Sequence, residues 1–379
     1  MSRGRTDVAV VGAGIVGLST AYALSLRRVD FRLFEAARPG AGQSAGRTRI
    51  FRHGHARPEL VRLAVESRLV WEEWERRLGT PMLGGEGVIV TGPPALERER
   101  LLAEAGVPCR LIGPREQERA LPIFRAPGGE ALLDELGGST DVRASIEALS
   151  RAVSDRLTLG QAFRLGDSPR PVVETSEGIW EAGCVIVCAG AGVRELASGL
   201  GVAVPVSIGC HARATFRVLR PGVGAALPSL QDLSGAHGET VYGGPVPGED
   251  AYVVGLSGPD NEVPSGQDGV DALLRRIRRY VERALPGLDP EPIGARLCLT
   301  TMLPEGGDTF RIWRAGRVLV LAGDNLFKFG PALGELLADA ALGEPIPSWL
   351  EAPGPARVTR AATTPAVLAP DRSPRLAGS

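Results

Sequence analysis

Hydrophobic and polar positions alternate along the chain in blocks that predict strand and helix by turns. Asp7 to Val11 is a short apolar strand, Gly12-Ala13-Gly14-Ile15-Val16-Gly17 follows it, and an apolar helix runs to about Leu26. "DFRLFEA" is a second strand ending near Glu35. Residues 57–78, "RPELVRLAVESRLVWEEWERRL", place Leu60, Leu63, Ala64, Val70 and Trp71 towards one side of a helix. "GEGVIVTGPP" reads as a strand, residues 94–125 as two short polar helices, and "GGSTDVRASIEAL" as a loop leading into another helix. "RPVVETSEGIWEAGCVIVCAGAG" predicts two strands around a Ser-Glu-Gly turn, then a buried strand ending in Gly190 and Gly192. From about His211 to Leu299, strands and turns surround one basic helix, "DALLRRIRRYVERAL". "RVLVLAGDN" is a last core strand and "PALGELLADAAL" a last helix. Beyond about Leu350 periodicity fades, and a disordered tail is expected over 351–379.

The opening βαβ unit carries the first chemistry. In Gly12-Ala13-Gly14-Ile15-Val16-Gly17 the glycines serve a tight turn, a close backbone approach to a pyrophosphate, and close helix–strand packing. The helix that follows offers unpaired N–H groups to phosphates. Glu35, eighteen residues after Gly17, is placed to accept from a ribose hydroxyl and argues against a 2′-phosphate. Strand, glycines, helix, strand and acid in this order predict an adenine dinucleotide site. The β-meander that feeds back into the parallel sheet suits a flavoprotein better than a plain nicotinamide dehydrogenase. The expected fold class is α/β: a Rossmann-like dinucleotide domain (1–80, 138–210 and 300–350) interleaved with an α+β, mixed-sheet substrate domain (81–137 and 211–299).

Composition narrows the function. Basic and acidic residues nearly cancel, 43 against 44, which gives no electrostatic footprint for nucleic acid or an anionic membrane. The apolar run "VAVVGAGIVGLSTAYALSL" is broken by glycines at fixed spacing and reads as structure, not as a signal or a membrane span. Five scattered cysteines (Cys109, Cys184, Cys188, Cys210, Cys298) without a CxxC pair, and four histidines, argue against a metal site and for a reducing cytoplasm. Lys328, in "DNLFKFGPALGE", is the single lysine; the other 42 basic residues are arginine. Its persistence in so arginine-rich a chain points to a site that needs a compact ammonium. Cys298, between an arginine and a Thr-Thr pair, stands open at this level as core filler, metal ligand, nucleophile or attachment point.

Five stretches, "VVGAGIVGLSTAYAL", "GAGQSAGRTRIFRHGH", "TSEGIWEAGCVIVCAGAG", "ARLCLTTMLPEGGDTFRI" and "LAGDNLFKFGPALGE", give the chain a resemblance to the D-amino-acid-oxidase superfamily. It is most similar to the branch of monomeric sarcosine oxidase and N-methyltryptophan oxidase. That resemblance implies FAD, held by Gly12, Ala13, Gly14, Ile15, Gly17, Glu35, Ser44, Thr48 and Arg49, and bonded through the Cys298 sulfur to its 8α-methyl. It implies Arg52 and Lys328 as anchors of a substrate carboxylate, since two cations can fix a carboxylate while its α-carbon faces flavin N5. Arg49 would stand beside the flavin ring.

The chain also departs from the branch. Val253, in "AYVVGLSG", occupies the position of the oxygen-activating lysine, Ser257 that of a histidine, and Thr300 that of a tyrosine. Asp324 and Asn325 replace a glycine- and histidine-containing turn. The expected activity is oxidation of a C–N bond in a carboxylate-bearing secondary or cyclic amine or amino acid, in specialised metabolism, with O2 as acceptor. The alternatives are a dehydrogenase with another acceptor and a flavin-binding protein without catalysis. The expected assembly is a monomer or homodimer.

Overall fold

In the computed structural model, which describes residues 2–166, 170–257, 263–264 and 266–353, the strands and helices include the predicted ones and several short strands besides. The first nine strands are β1 (Ser2–Val11), β2 (Phe31–Glu35), β3 (Thr48–Phe51), β4 (Val88–Thr91), β5 (Cys109–Ile112), β6 (Ala131–Asp134), β7 (Gly138–Asp141), β8 (Leu157–Leu159) and β9 (Ala162–Gly166). The second nine are β10 (Val172–Thr175), β11 (Gly178–Val187), β12 (Ser207–Val218), β13 (Ser229–Asp232), β14 (Val241–Pro245), β15 (Ala251–Leu256), β16 (Leu288–Met302), β17 (Phe310–Ala315) and β18 (Val318–Gly323). The helices are α1 (Ile15–Leu26), α2 (Pro58–Leu78), α3 (Ala95–Glu104), α4 (Pro114–Ala120), α5 (Val142–Ala152), α6 (Val193–Ser198), α7 (Gly266–Ala284) and α8 (Gly330–Ala341).

The chain falls into two compact units. The first gathers the segment running to Ala45, Ile146–Gly209, and the chain from Leu299; the second gathers Gly46–Ser145 and Cys210–Cys298. Residues 46–80 and 138–145, grouped with the dinucleotide domain on sequence grounds, cluster with the second unit.

The first unit is built on a sheet of order β17-β18-β11-β1-β2-β8, with β10 paired to β11 and β9 to β10. From β18 to β8 the neighbours are parallel. Parallel strands are covered on both faces and so read as continuous apolar runs, as "DVAVV" and "CVIV" do. Val8, Ala9, Val10, Val185, Ile186 and Val187 are all buried. Helix α1 is buried on nearly every side and packs against α8. The two helices approach closely because α8 brings Gly334 to the contact: a Cβ there would lie 2.6 Å from the Ser19 backbone. The chain is still held at its described end, where Ala352 N–H donates to the Ile312 carbonyl at 2.8 Å. The tail expected to be disordered lies, from residue 354, outside the described residues.

The second unit carries a mixed sheet of order β16-β12-β15-β14-β13-β4-β6-β5 and a small antiparallel pair, β3 with β7. Strands β13 and β4 pair in parallel, whereas β12–β15, β15–β14, β14–β13, β4–β6 and β6–β5 are antiparallel. Strand β12 alternates cleanly. Ala212, Ala214, Phe216 and Val218 enter the apolar core with Tyr252 and Val254 of β15 and Ile277, Tyr280 and Val281 of α7. His211, Arg213, Thr215 and Arg217 take the opposite face. Helix α2 buries Trp71 and Trp74 completely. No helix of the described residues is long and apolar enough to cross a membrane.

Candidate active site

The nucleotide loop lies in the first unit, where β1 turns into α1. Gly12 sits at φ +100°, a conformation that a side chain rarely adopts. A Cβ there would come within 2.5 Å of the Cys188 carbonyl, and one at Gly17 would overlap the Gly12 carbonyl. These two positions therefore have to be glycine for β1, α1 and β11 to meet as they do. Gly14 precedes α1, and a Cβ on it would lie 3.2 Å from Ser44 Oγ. Ser44 Oγ accepts from the Ile15 N–H at 2.8 Å, while the Glu35 carboxylate accepts from Ala13 at 2.7 Å and Ala37 at 3.0 Å. Gly12, Ala13, Gly14, Ile15, Gly17, Glu35 and Ser44 thus form one group. The glycine cradle at the helix N-terminus is shaped for a phosphate, and Glu35 has further lone pairs for a ribose hydroxyl. The residues fit an FAD nucleotide.

Lys328, also in the first unit, lies in the turn between β18 and α8 and is 5% exposed. Its Nζ donates to the Asn325 carbonyl at 3.0 Å, lies 3.9 Å from Asp308 Oδ1, and is 4.6 Å from the centre of the Phe329 ring. Asn325 and Asp308 both have positive φ, +54° and +55°, and Asn325 Nδ2 donates to Asp308 Oδ1 at 2.9 Å. Burial first, then the nearby Asp308 charge, pushes the Asp324 carboxyl up to about 6, and Lys328 only partly offsets this. The ammonium is thus set among the carboxylates of Asp308 and Asp324.

The second unit holds a cationic cluster on the face of its large sheet that carries His211 and Arg213. Arg213 Nε donates to Tyr242 Oη at 2.8 Å, its guanidinium carbon lies 5.4 Å from the centre of that ring, and its Nη1 reaches Cys298 Sγ at 3.8 Å. Gly255 faces Arg213 across one strand pair and Tyr242 across the other. A Cβ on Gly255 would come 2.5 Å from the Tyr242 ring, so the absent side chain is what lets the tyrosine lie across β15. His211 Nδ1 is 3.5 Å from Tyr242 Oη. Burial, reinforced by Arg213 and Arg49, pushes His211 down to about 4, so its imidazole is neutral at physiological pH.

Arg49 belongs to the same charge group. Burial and Arg213 push it down to about 9 against the opposing pull of Cys298 and Tyr242, which leaves it a cation at neutral pH. For Arg213 burial works against the charge, but Tyr242 and Cys298 outweigh it and the guanidinium is raised. Arg49 lies on β3, where its Nη1 donates to the Thr48 carbonyl at 2.8 Å. The hydroxyls of Thr48 and of Thr140 on the paired strand are buried without a hydrogen-bond partner in the protein. Such orphaned hydroxyls are uncommon and mark a place for a further polar ligand.

Arg52 is buried in the second unit, with its guanidinium on the Gly54 carbonyl and 2.9 Å from His55 Nδ1. Next to it, His53 donates its N–H to the fully buried Asp134 at 2.6 Å. Arg49 and Cys298 therefore share one cluster with Thr48 adjoining, Arg52 belongs to the same unit, and Lys328 belongs to the other. Arg213, Tyr242, His211 and Gly255 were not singled out from the sequence. The signal existed in "HARATFRV", whose period of two puts histidine and arginine on a face that a buried strand would fill with apolar residues. Val253 shares that face with Gly255, opposite Thr215, which is flanked on the same face of β12 by Arg213 and Arg217.

Comparisons with known proteins agree with this architecture. The chain is 28% identical over 377 residues to monomeric sarcosine oxidase of Streptomyces avermitilis, covering 89% of this chain and 93% of that protein. It is 26% identical over 366 residues to peroxisomal sarcosine oxidase of Homo sapiens, covering 89% and 92%. Its fold is like that of NikD, an unusual amino acid oxidase essential for nikkomycin biosynthesis, with TM-score 0.79, 21% identity, and coverage of 95% of this chain and 100% of that one. The profile of the FAD dependent oxidoreductase family matches residues 7–340, and the chain belongs to that family.

Proposed function

We propose that the protein oxidises a C–N bond in a carboxylate-bearing secondary or cyclic amine or amino acid, with its FAD bonded to Cys298. Bound FAD would accept a hydride from the carbon beside nitrogen and hand the electrons on. The observation that carries the reading is Cys298 held beside Arg213, with Arg49 in the same charge group, in a chain related to sarcosine oxidases. A thiolate is the form of cysteine that bonds to carbon, and cations beside the sulfur favour it. Arg49 would also offset negative charge gained by the ring. Arg52 and Lys328 would hold the substrate carboxylate as two cations. Dioxygen is the acceptor in this reading, and the specialised substrate follows from the altered residues Val253, Ser257, Thr300, Asp324 and Asn325.

Val253 favours a second reading, a dehydrogenase with another acceptor, because no ammonium can replace it nearby in a chain whose single lysine is Lys328. Both readings are tested on purified protein. Its yellow colour should stay with the acid-precipitated chain and leave it in Cys298→Ala. N-methyl and cyclic amino acids added without air should bleach the flavin, and admitting air should restore it quickly. Bleaching without fast return makes the protein a dehydrogenase. A full panel that bleaches nothing removes the catalytic reading.

A further inference from the structure

We propose that Arg213 is a positioning residue for flavin attachment, setting its guanidinium at the Cys298 sulfur that forms the bond. The inference rests on the reading of Cys298 as the tether and assigns a residue to the making of that bond. Three contacts support it. The guanidinium is stacked on and hydrogen-bonded to Tyr242, which fixes its plane; its Nη1 is then directed at Sγ, 3.8 Å away; and Gly255 keeps the intervening strand clear. Arginine suits this task, since one N–H can be spent on the phenol and another on the sulfur while the charge is kept.

The other cysteines make the contrast. Burial pushes Cys184 up to about 11 and Cys188 up to about 12, and it raises Cys210 too. Burial alone would hold a thiol neutral and inert. Cys298 is as buried as Cys210, at 4% exposure each, and differs in having a guanidinium nitrogen at the sulfur. His211, 3.5 Å from the Tyr242 hydroxyl and neutral, leaves Arg213 as the cation at the sulfur on this strand.

In the step itself, Cys298 loses its proton to water and its sulfur forms a bond to the 8α carbon as a C–H proton leaves that carbon. The ring system gains the two electrons. Those electrons and two protons then pass to a two-electron acceptor, dioxygen becoming hydrogen peroxide, so that thiol, FAD and O2 yield thioether-linked FAD and H2O2.

The test follows tether formation rather than turnover. Full-length wild type, Arg213→Gln, Arg213→Lys and Cys298→Ala are purified with their flavin, incubated with FAD at pH 7 and pH 9, and denatured. The fraction of flavin that stays with the chain is read by gel fluorescence and intact mass. Arg213→Gln should bind FAD yet tether on the order of tenfold more slowly at pH 7, because the sulfur reacts without a cation beside it. It should recover at pH 9, and Arg213→Lys should recover part of the rate at pH 7. Wild-type tethering by Arg213→Gln at pH 7 overturns the inference, as does a defect that neither pH nor lysine relieves. Equal absence of tether in wild type and Cys298→Ala fells the tether reading itself, and the inference with it.

Discussion

The buried Asp324 and the half-buried His211 tie stability to pH in opposite directions. The Asp324 carboxyl is pushed up to about 6 by burial and Asp308, so the folded chain holds its proton more tightly than the unfolded chain. Folded protein then binds more protons between about pH 4 and 6, and stability falls as pH rises through that window. His211 is pushed down to about 4 by burial and the two arginines, so the unfolded chain binds the proton first. Its contribution is present above the ordinary histidine value near 6.5 and is lost as pH falls towards 4. Each shift is worth up to roughly 3 kcal/mol. Urea midpoints should show Asp324→Asn more stable than wild type at pH 7 and equal to it at pH 4. His211→Gln should lose the stability drop between pH 6.5 and 4.5 that wild type carries. Parallel shifts of both variants at every pH would show that neither group titrates as described.

At the level of elements, the second unit depends on what one strand omits. Tyr242 and Arg213 meet only because β15 places Gly255 between β14 and β12. Gly255→Val should push the tyrosine ring off the strand and take the guanidinium away from Cys298. The expected result is retained FAD binding with a tether yield at neutral pH lower by on the order of tenfold, read as chain-bound flavin after denaturation. A normal yield would mean that Arg213 finds the sulfur without Tyr242. These relations show what the sequence could and could not disclose. The glycine loop, α1, β2 and Glu35 were legible because the motif is local and each residue has a backbone task. Strands β3, β5 and β7 were missed: they are four-residue segments whose pairing comes from distant partners, and "TRIF" or "GSTD" has no period long enough to read. Arg213 was missed for a related reason. Its meaning depends on register across two strand pairs, which a single strand does not encode.

At the scale of the whole molecule, the first unit is assembled from three stretches of chain and the second from two. A cofactor bonded to Cys298 would be a covalent part of the folded chain. Untethered ligand stabilises by mass action, by about 2.7 kcal/mol at a hundredfold excess over Kd. A bonded one cannot be diluted away. The melting temperature of wild type should therefore be indifferent to added FAD, whereas that of Cys298→Ala should rise with FAD concentration. Differential scanning of both proteins across a range of FAD concentrations checks this, and a wild-type Tm that climbs with added FAD would mean the bond is absent.

The lone lysine has a practical consequence as well. Lys328 is nearly inaccessible in the folded first unit, and no other side chain of the sequence carries a primary amine. Acylating reagents should therefore leave the side chains of the native protein unmarked and add a single group to each molecule that opens around β18 and α8. Timed acylation read by intact mass becomes a one-site clock for local opening, with no engineered probe. The same residue offers lysine-specific proteolysis a single cut in the denatured chain, and the flavin should travel with the larger fragment.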